Sequence, residues 1–145
     1  MWSSFLHMGN ARGGALGDCL AAVLDWAGYD VTREFYINDA GNQIQKFGKS
    51  LAVRYLQQFC GEENYPLPKE CYQGGDIKVL AGEFAEINGD KYVAACQGMD
   101  EETLFESEAF AALKDALVAY ALPKNIAALK RDLGKYRIDY DVWFR

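Results

Sequence analysis

Apolar positions along this chain recur mostly with the period of a helix, and in two short stretches with the period of a strand. Over residues 10–27, Ala15, Cys19, Ala22 and Trp26 form one stripe, Leu16, Leu20, Val23 and Leu24 form a second, and Gly28 suits the stop. A helix apolar on every side belongs between layers, so this one is expected to be buried. Residues 29–37 alternate, with Val31, Phe35 and Ile37 against Thr32, Glu34 and Tyr36, which predicts a strand that ends in a polar turn over 38–42. A second helix is expected over 43–59, with Ile44, Phe47, Leu51, Tyr55 and Phe59 on its inner face.

Residues 61–75 read as a loop, followed by a third helix that Asp76 would cap, with Ile77, Leu80, Phe84 and Ile87 on one face and Asn88-Gly89 as its stop. A fourth helix is expected over 100–121 with Leu113, Leu117 and Tyr120. Pro123 is placed to open a fifth, on which Ile126, Leu129, Leu133 and Tyr136 share a face. The aromatic stripes are expected to be core. At the end, Ile138, Tyr140, Val142 and Phe144 alternate with Asp139, Asp141 and Trp143, a second strand.

The order helix, strand, several helices, strand predicts an α/β chain that is mostly α-helical by residue count. Two strands are few for a parallel sheet. The first helix also lacks a preceding strand, although nucleotide sites of α/β folds form where a strand feeds a helix. Both ends are therefore expected to be cut from a larger fold. Strands without sheet neighbours are expected to leave bare edges, giving poor solubility or oligomers.

Composition narrows this. The 145 residues make one domain's length, and with half of them apolar and 14% aromatic the chain is not a disordered one. Fifteen Lys/Arg against twenty-one Asp/Glu give a net charge of −6, which argues against binding of a phosphate backbone but leaves a single nucleotide open. The four cysteines, Cys19, Cys60, Cys71 and Cys96, form no CxxC pair and have one histidine for company, so no metal site is expected. They are read as reduced thiols of a cytoplasmic protein, with Cys19 and Cys96 in apolar surroundings. No basic leader with an apolar run is visible, and no apolar run approaches about 20 residues, so neither a signal peptide nor a membrane span is expected.

The candidate chemistry lies in His7-Met8-Gly9-Asn10-Ala11-Arg12 and continues to Gly17-Asp18. A histidine and a glycine at a helix start suit a polyphosphate: the imidazole and the unpaired backbone N–H groups point the same way, and the macrodipole favours negative charge. Gly9 allows close approach to the backbone. Each residue also has a plainer reading. Arg12 is a surface ion-pair partner or a pocket residue. Gly13, Gly14 and Gly17 are close-packing glycines. Asp18 pairs with a cation or carries a core hydrogen bond. Asp39 and Gln43 form a turn and cap, or lie at the pocket. Asp100-Glu101-Glu102 is a solvated helix start, and residues 72–75 are a structural turn or a tRNA contact.

The runs HMGNARGGALGD (7–18), AGYDVTREFYINDAGNQIQKFG (27–48), YQGGDIKVLAGEF (72–84), INGDKY (87–92) and ALPKNIAALKRDLGKYRIDYDVWF (121–144) together resemble the catalytic core of bacterial arginyl-tRNA synthetases, which are class I aminoacyl-tRNA synthetases. The resemblance runs in order from Leu6 to Phe144. It implies an internal fragment of the catalytic domain: a partial Rossmann-type (HUP-like) nucleotide-binding half-domain with a helical insertion. Residues 1–60 would be the first part of that domain, 61–136 the insertion, and 137–145 the returning strand. The implied activity is arginine–tRNA ligase, which activates arginine with ATP and Mg2+ as substrate and transfers it to tRNA(Arg), without a tightly bound cofactor or a membrane. His7-Met8-Gly9-Asn10 would be the HIGH signature, with His7 and Asn10 catalytic and His7, Gly9 and Asn10 at ATP. Arg12, Asp39, Gly41 and Gln43 would line the substrate pocket.

Departures limit the inference. Met-Trp-Ser-Ser-Phe replaces the family's Asn-Pro-x-Gly-Pro-type stretch, and the KMSKS-type loop and anticodon-binding domain would lie beyond Arg145. The 145 residues alone are therefore expected to be inactive. A non-catalytic, degenerate paralogue acting as a helical interaction module is the alternative.

Overall fold

The structure is a computed structural model describing residues 8–37 and 41–144, with Asn10 described by its backbone alone. In order it holds α1 Met8–Trp26, β1 Glu34–Tyr36, α2 Gly41–Cys60, α3 Gly75–Asn88, α4 Val93–Cys96, α5 Glu101–Glu106, α6 Glu108–Lys135 and β2 Val142–Phe144. It is mostly helical. Two compact units divide the described residues: 41–123, and 8–37 together with 124–144. Among the described residues no helix is long and apolar enough to cross a membrane.

The 41–123 unit is built on α2, whose Phe47, Leu51, Tyr55 and Leu56 are fully buried against Ile77 and Phe84 of α3 and Leu113 and Leu117 of α6. Gly48 lets α2 and α6 pack closely, because a Cβ there would lie 2.5 Å from Lys114 Cγ and 2.8 Å from Val118 Cγ2. Most polar groups caught in this core are satisfied, Arg54 Nε on α2 being an exception. The Ser50 hydroxyl donates to Lys46 O (2.6 Å) and accepts from the Tyr72 N–H (2.8 Å), and the Tyr55 hydroxyl donates to Gly89 O (2.6 Å). Burial pushes the Cys71 and Cys96 thiols up, which keeps them inert. Phe59, expected inside, is 43% exposed at the end of α2.

Three expectations about the helices fail for local reasons. Gly74, not Asp76, is the N-cap of α3, and Asp76 sits in the first turn where the dipole favours an acid. The helix expected over 100–121 is broken at Ser107. That residue leaves helical geometry (ψ 145°), and its hydroxyl oxygen accepts from the Phe110 N–H (3.1 Å), so it caps α6. Asp100 caps α5 in the same way from Thr103 (2.8 Å). Pro123 opens no new helix but lies inside α6. Its missing N–H costs one ladder bond, and the buried faces on either side, Leu117 and Ala121 before it and Leu133 after it, hold the helix continuous.

In the other unit β1 and β2 pair in parallel, with Glu34 opposite Val142, Phe35 opposite Trp143 and Tyr36 opposite Phe144. The strands therefore neighbour each other, correcting the expectation that each lacks a partner. They are three residues long rather than the seven to nine expected, because the ladder exists only where both chains run side by side. Phe35 stacks on Trp143 (centroids 4.6 Å apart) and meets Tyr140 edge-on at 5.2 Å.

α1 is not the buried helix expected. Ala11 is buried, and Gly14, Ala15, Asp18 and Ala21 are half-buried. The opposite face carries Leu16, Leu20 and Val23, which are 72%, 59% and 64% exposed, with Trp26 at 94%. Cys19 is exposed too, not in apolar surroundings. Among the described residues only one side of α1 meets the chain.

The end of α6 is a Schellman turn, in which the Ile138 N–H donates to Leu133 O (3.1 Å) and the Arg137 N–H to Gly134 O (2.9 Å). Ile138 and Leu133 then close over Gly14, whose Cβ would meet Ile138 Cδ1 at 3.3 Å. The residue in the left-handed position is Arg137, φ 61°, where glycine is usual. Arg137→Gly is expected to raise stability by about 1 kcal/mol, or roughly 3 °C in Tm for a chain of this size; urea and thermal melts read it.

Candidate functional site

An α-helix begins with backbone N–H groups that have no partner within the helix, and α1 begins at Met8. Met8 and Gly9 in its first turn are exposed, Arg12 is exposed one turn on, and no acid stands in the first turn to occupy the positive end of the dipole. Gly41 opens α2 at φ 75°, a conformation that suits glycine, and exposed Gln43 lies in the same first turn. The structure thus brings Gly9, Asn10 and Arg12 onto one helix start and Gly41 and Gln43 onto another. These starts belong to different units. His7 and Asp39 lie outside the described residues, as does the Asn10 side chain.

Further along α1, Asp18 finds a cation. Arg33 Nε donates to Asp18 Oδ1 (3.2 Å), the Arg33 backbone N–H donates to Asp141 Oδ2 (2.7 Å), and Arg33 O accepts from the N–H groups of Asp141 (2.9 Å) and Val142 (3.1 Å). Arg33 therefore ties α1 to β1 by its side chain and β1 to β2 by its backbone. With 25% and 31% of the two side chains accessible, the ion pair contributes at most about 1 kcal/mol. Of the two readings open for Asp18, the structure supports the ion pair. Arg33 escaped sequence reading, since a charged residue at a strand's start looks like any solvated one.

A cavity of about 280 Å³ opens beside this pair, lined by Gly17, Asp18, Arg33, Glu34, Ile138 and Tyr140 among others. It sits at the amino ends of both strands. Ligands of α/β sheets bind at the carboxyl ends, where here Tyr36 and Phe144 stand. The cavity therefore lies at the opposite end of the strands from where such ligands bind. Among the described residues no group of three or more His, Cys, Asp or Glu side chains is placed to hold a metal ion.

Comparison with known proteins gives these elements a context. No protein-family model matches the chain. The arginine–tRNA ligase of Ruminiclostridium cellulolyticum is 52% identical over 139 residues, 96% of this chain, and that of Acetivibrio thermocellus is 51% identical over the same share. A crystal structure from Campylobacter jejuni described as an arginyl-tRNA synthetase matches 95% of the chain with a TM-score of 0.65 at 30% identity. The chain matches one segment of the arginine–tRNA ligase family. It spans 22% of the length of the curated ligases and 27% of the Campylobacter chain. The resemblance read from the five sequence runs is thus confirmed in identity and in three-dimensional form.

One consequence is measurable in the cavity itself. Burial, and secondarily the Asp18 carboxylate, push the Tyr140 hydroxyl above the ordinary tyrosine value of 10.0. A raised acid pKa adds stability that is complete below the unfolded-state value and is lost as pH climbs through the folded one. Tyr140→Phe is therefore expected to flatten the fall in stability above pH 10. Asp18→Asn should shift the 295 nm ionisation of Tyr140 back towards lower pH.

Proposed function

We propose that this chain supplies the first part of the nucleotide-binding half of an arginine–tRNA ligase catalytic domain, an enzyme that activates arginine with MgATP and transfers it to tRNA(Arg) in the cytoplasm. In this reading residues 1–60 begin a Rossmann-type (HUP-like) domain, 61–136 are a helical insertion, and 137–145 return to it. The supporting observation is identity of about half over nearly the whole chain to two ligases.

Attack of a carboxylate on the α-phosphate spreads negative charge over phosphoryl oxygens, so the protein's work is positioning and electrostatic. His7, Asn10 and the first N–H groups of α1 would direct donors at that charge. Asn10 donates without titrating, which leaves the charged role to His7. Gly9 admits the phosphates to the backbone. Arg12, Asp39, Gly41 and Gln43 would line the substrate side.

The bare face of α1 fits the same reading. Leu16, Leu20 and Val23 offer an apolar surface of the kind that a helix shows towards a sheet. We assign it to apolar strands from the remainder of the ligase's catalytic domain, the part of the relatives that this chain does not span. A helix covered on one side leaves half of its cleft unbuilt, and positioning alone accounts for about 7–11 kcal/mol of a barrier.

Grafting this chain in place of the matched 139 residues of the Ruminiclostridium ligase tests the proposal. The graft is expected to charge tRNA(Arg) with arginine, and His7→Ala to lower kcat by about 10²–10³. A folded graft without arginine-dependent charging would overturn the reading and favour a non-catalytic role. Leu20→Asp, at an exposed position, should change the stability of the 145-residue chain by no more than about 0.5 kcal/mol. In the graft it should abolish activity.

A further inference from the structure

The net charge of −6 is not spread evenly. Residues 41–123 hold seven Lys/Arg against thirteen Asp/Glu, whereas residues 124–137 hold Lys124, Lys130, Arg131, Lys135 and Arg137 against one acid, Asp132, with exposed Asp139 and Asp141 just beyond. All five basic residues are exposed. At 100° per residue, Lys124, Arg131 and Lys135 fall within one narrow stripe of α6, about 16 Å long at the helical rise. Half-buried Ala128 shares this stripe, and the small exposed residues Ala127 and Gly134 flank it.

Asp132 neutralises little of this. Arg131 Nε (3.2 Å) and Lys135 Nζ (3.3 Å) both reach its Oδ1, so one carboxylate serves two cations, and their side chains stay 63% and 70% accessible. Lys130 lies over the Trp143 ring at 4.5 Å. Tyr136, 58% exposed, stands between Lys135 and Arg137 and offers a free ring beside the positive charge.

The dipole of α6 explains a cation in its last turn. It does not explain Arg137. That residue lies past the last turn, in a left-handed conformation that glycine would adopt without strain. A strained arginine where glycine folds better points to use of the side chain.

We infer that the α6 end, through Arg131, Lys135, Tyr136 and Arg137, is a docking surface for an RNA phosphate backbone, with the Tyr136 ring available to an unpaired base. The partner class follows from charge complementarity with an aromatic at the same place. The inference deepens the ligase reading and rests on it for the RNA's identity, tRNA.

Fluorescence anisotropy of the 145-residue chain with a labelled tRNA(Arg) transcript, titrated with salt, tests it. The variant Arg131→Gln, Lys135→Gln, Arg137→Gly is expected to bind at least roughly tenfold more weakly at low salt, and to lose about one unit of salt slope per charge removed. The control Lys69→Gln, Lys78→Gln, Lys91→Gln removes as many charges from the other unit and should bind as the parent does. Arg137→Gly alone should melt higher yet bind more weakly, whereas a purely structural role moves both together. Equal binding by parent and triple variant would overturn the surface. Poly-glutamate competing as well as the transcript would overturn RNA as its occupant. A graft that charges tRNA with an unchanged KM for tRNA in the triple variant refutes the inference and leaves the ligase reading intact. A graft that cannot charge tRNA, while RNA binding is lost as expected, refutes the reading instead.

Discussion

Parallel pairing of β1 with β2 is the constraint on which the rest depends. The two strands lie more than a hundred residues apart, and in parallel strands a crossover must carry the chain back to the same end. Here the crossover contains a complete helical unit with its own core. Closing so long a loop costs only slowly more than closing a short one, and the helices between shorten the effective loop once they have formed. What holds the closure is local and specific: the stacked Phe35 and Trp143, Tyr140 edge-on to both, and Arg33 bonded through its backbone to Asp141 and Val142. Without the pairing, α1 would lose the platform made by Ile138 and Leu133.

How far the pattern of residues foretold this fold depends on which force decided each element. α2 and α3 were legible because most of their apolar positions recur on a buried face, and burial is what periodicity reports; Phe59 and Ile87 at their ends are 43% and 68% exposed. The break at Ser107 was not, because apolar spacing continues across it and a single hydroxyl redirects the chain. Pro123 misled in the opposite sense. Its lost N–H is a real local cost, but packing on both sides outweighs it. The strands came out at three residues because alternation marks which residues suit a ladder, while the ladder's length is set by where a partner runs.

The candidate site was legible only through its motif. Nothing in spacing distinguishes His7-Met8-Gly9-Asn10 from a chance helix start, and it is the downstream runs, from Asp39-Ala40-Gly41 to Asp141-Val142-Trp143, that give it meaning. Gly9 and Arg12 stand in the first two turns of α1, and Gly41 takes a positive φ at the start of α2. Arg33 was hidden because its partners, Asp18 and Asp141, are brought to it only by the tertiary fold. The expectation of a wholly buried α1 failed for an instructive reason. An all-round apolar helix states what it needs covered, and this chain covers one side.

Averages over a chain hide the features that carry recognition. A net charge of −6 argues against contact with a phosphate backbone only if the charge is mixed over the surface, and it is not. Residues 41–123 carry thirteen acids against seven bases, and the helix that leaves this unit ends in a run of cations. At physiological salt the field of exposed charges decays within about 8 Å, so a partner at the end of α6 meets the local charge and not the sum. Segregation lets one small chain stay acidic overall, which favours solubility, and still present a positive stripe. Arg137 sits where that stripe meets the returning strand. Its left-handed backbone is needed for the turn, and its guanidinium is not, so the side chain is the part of this residue that folding alone leaves unexplained.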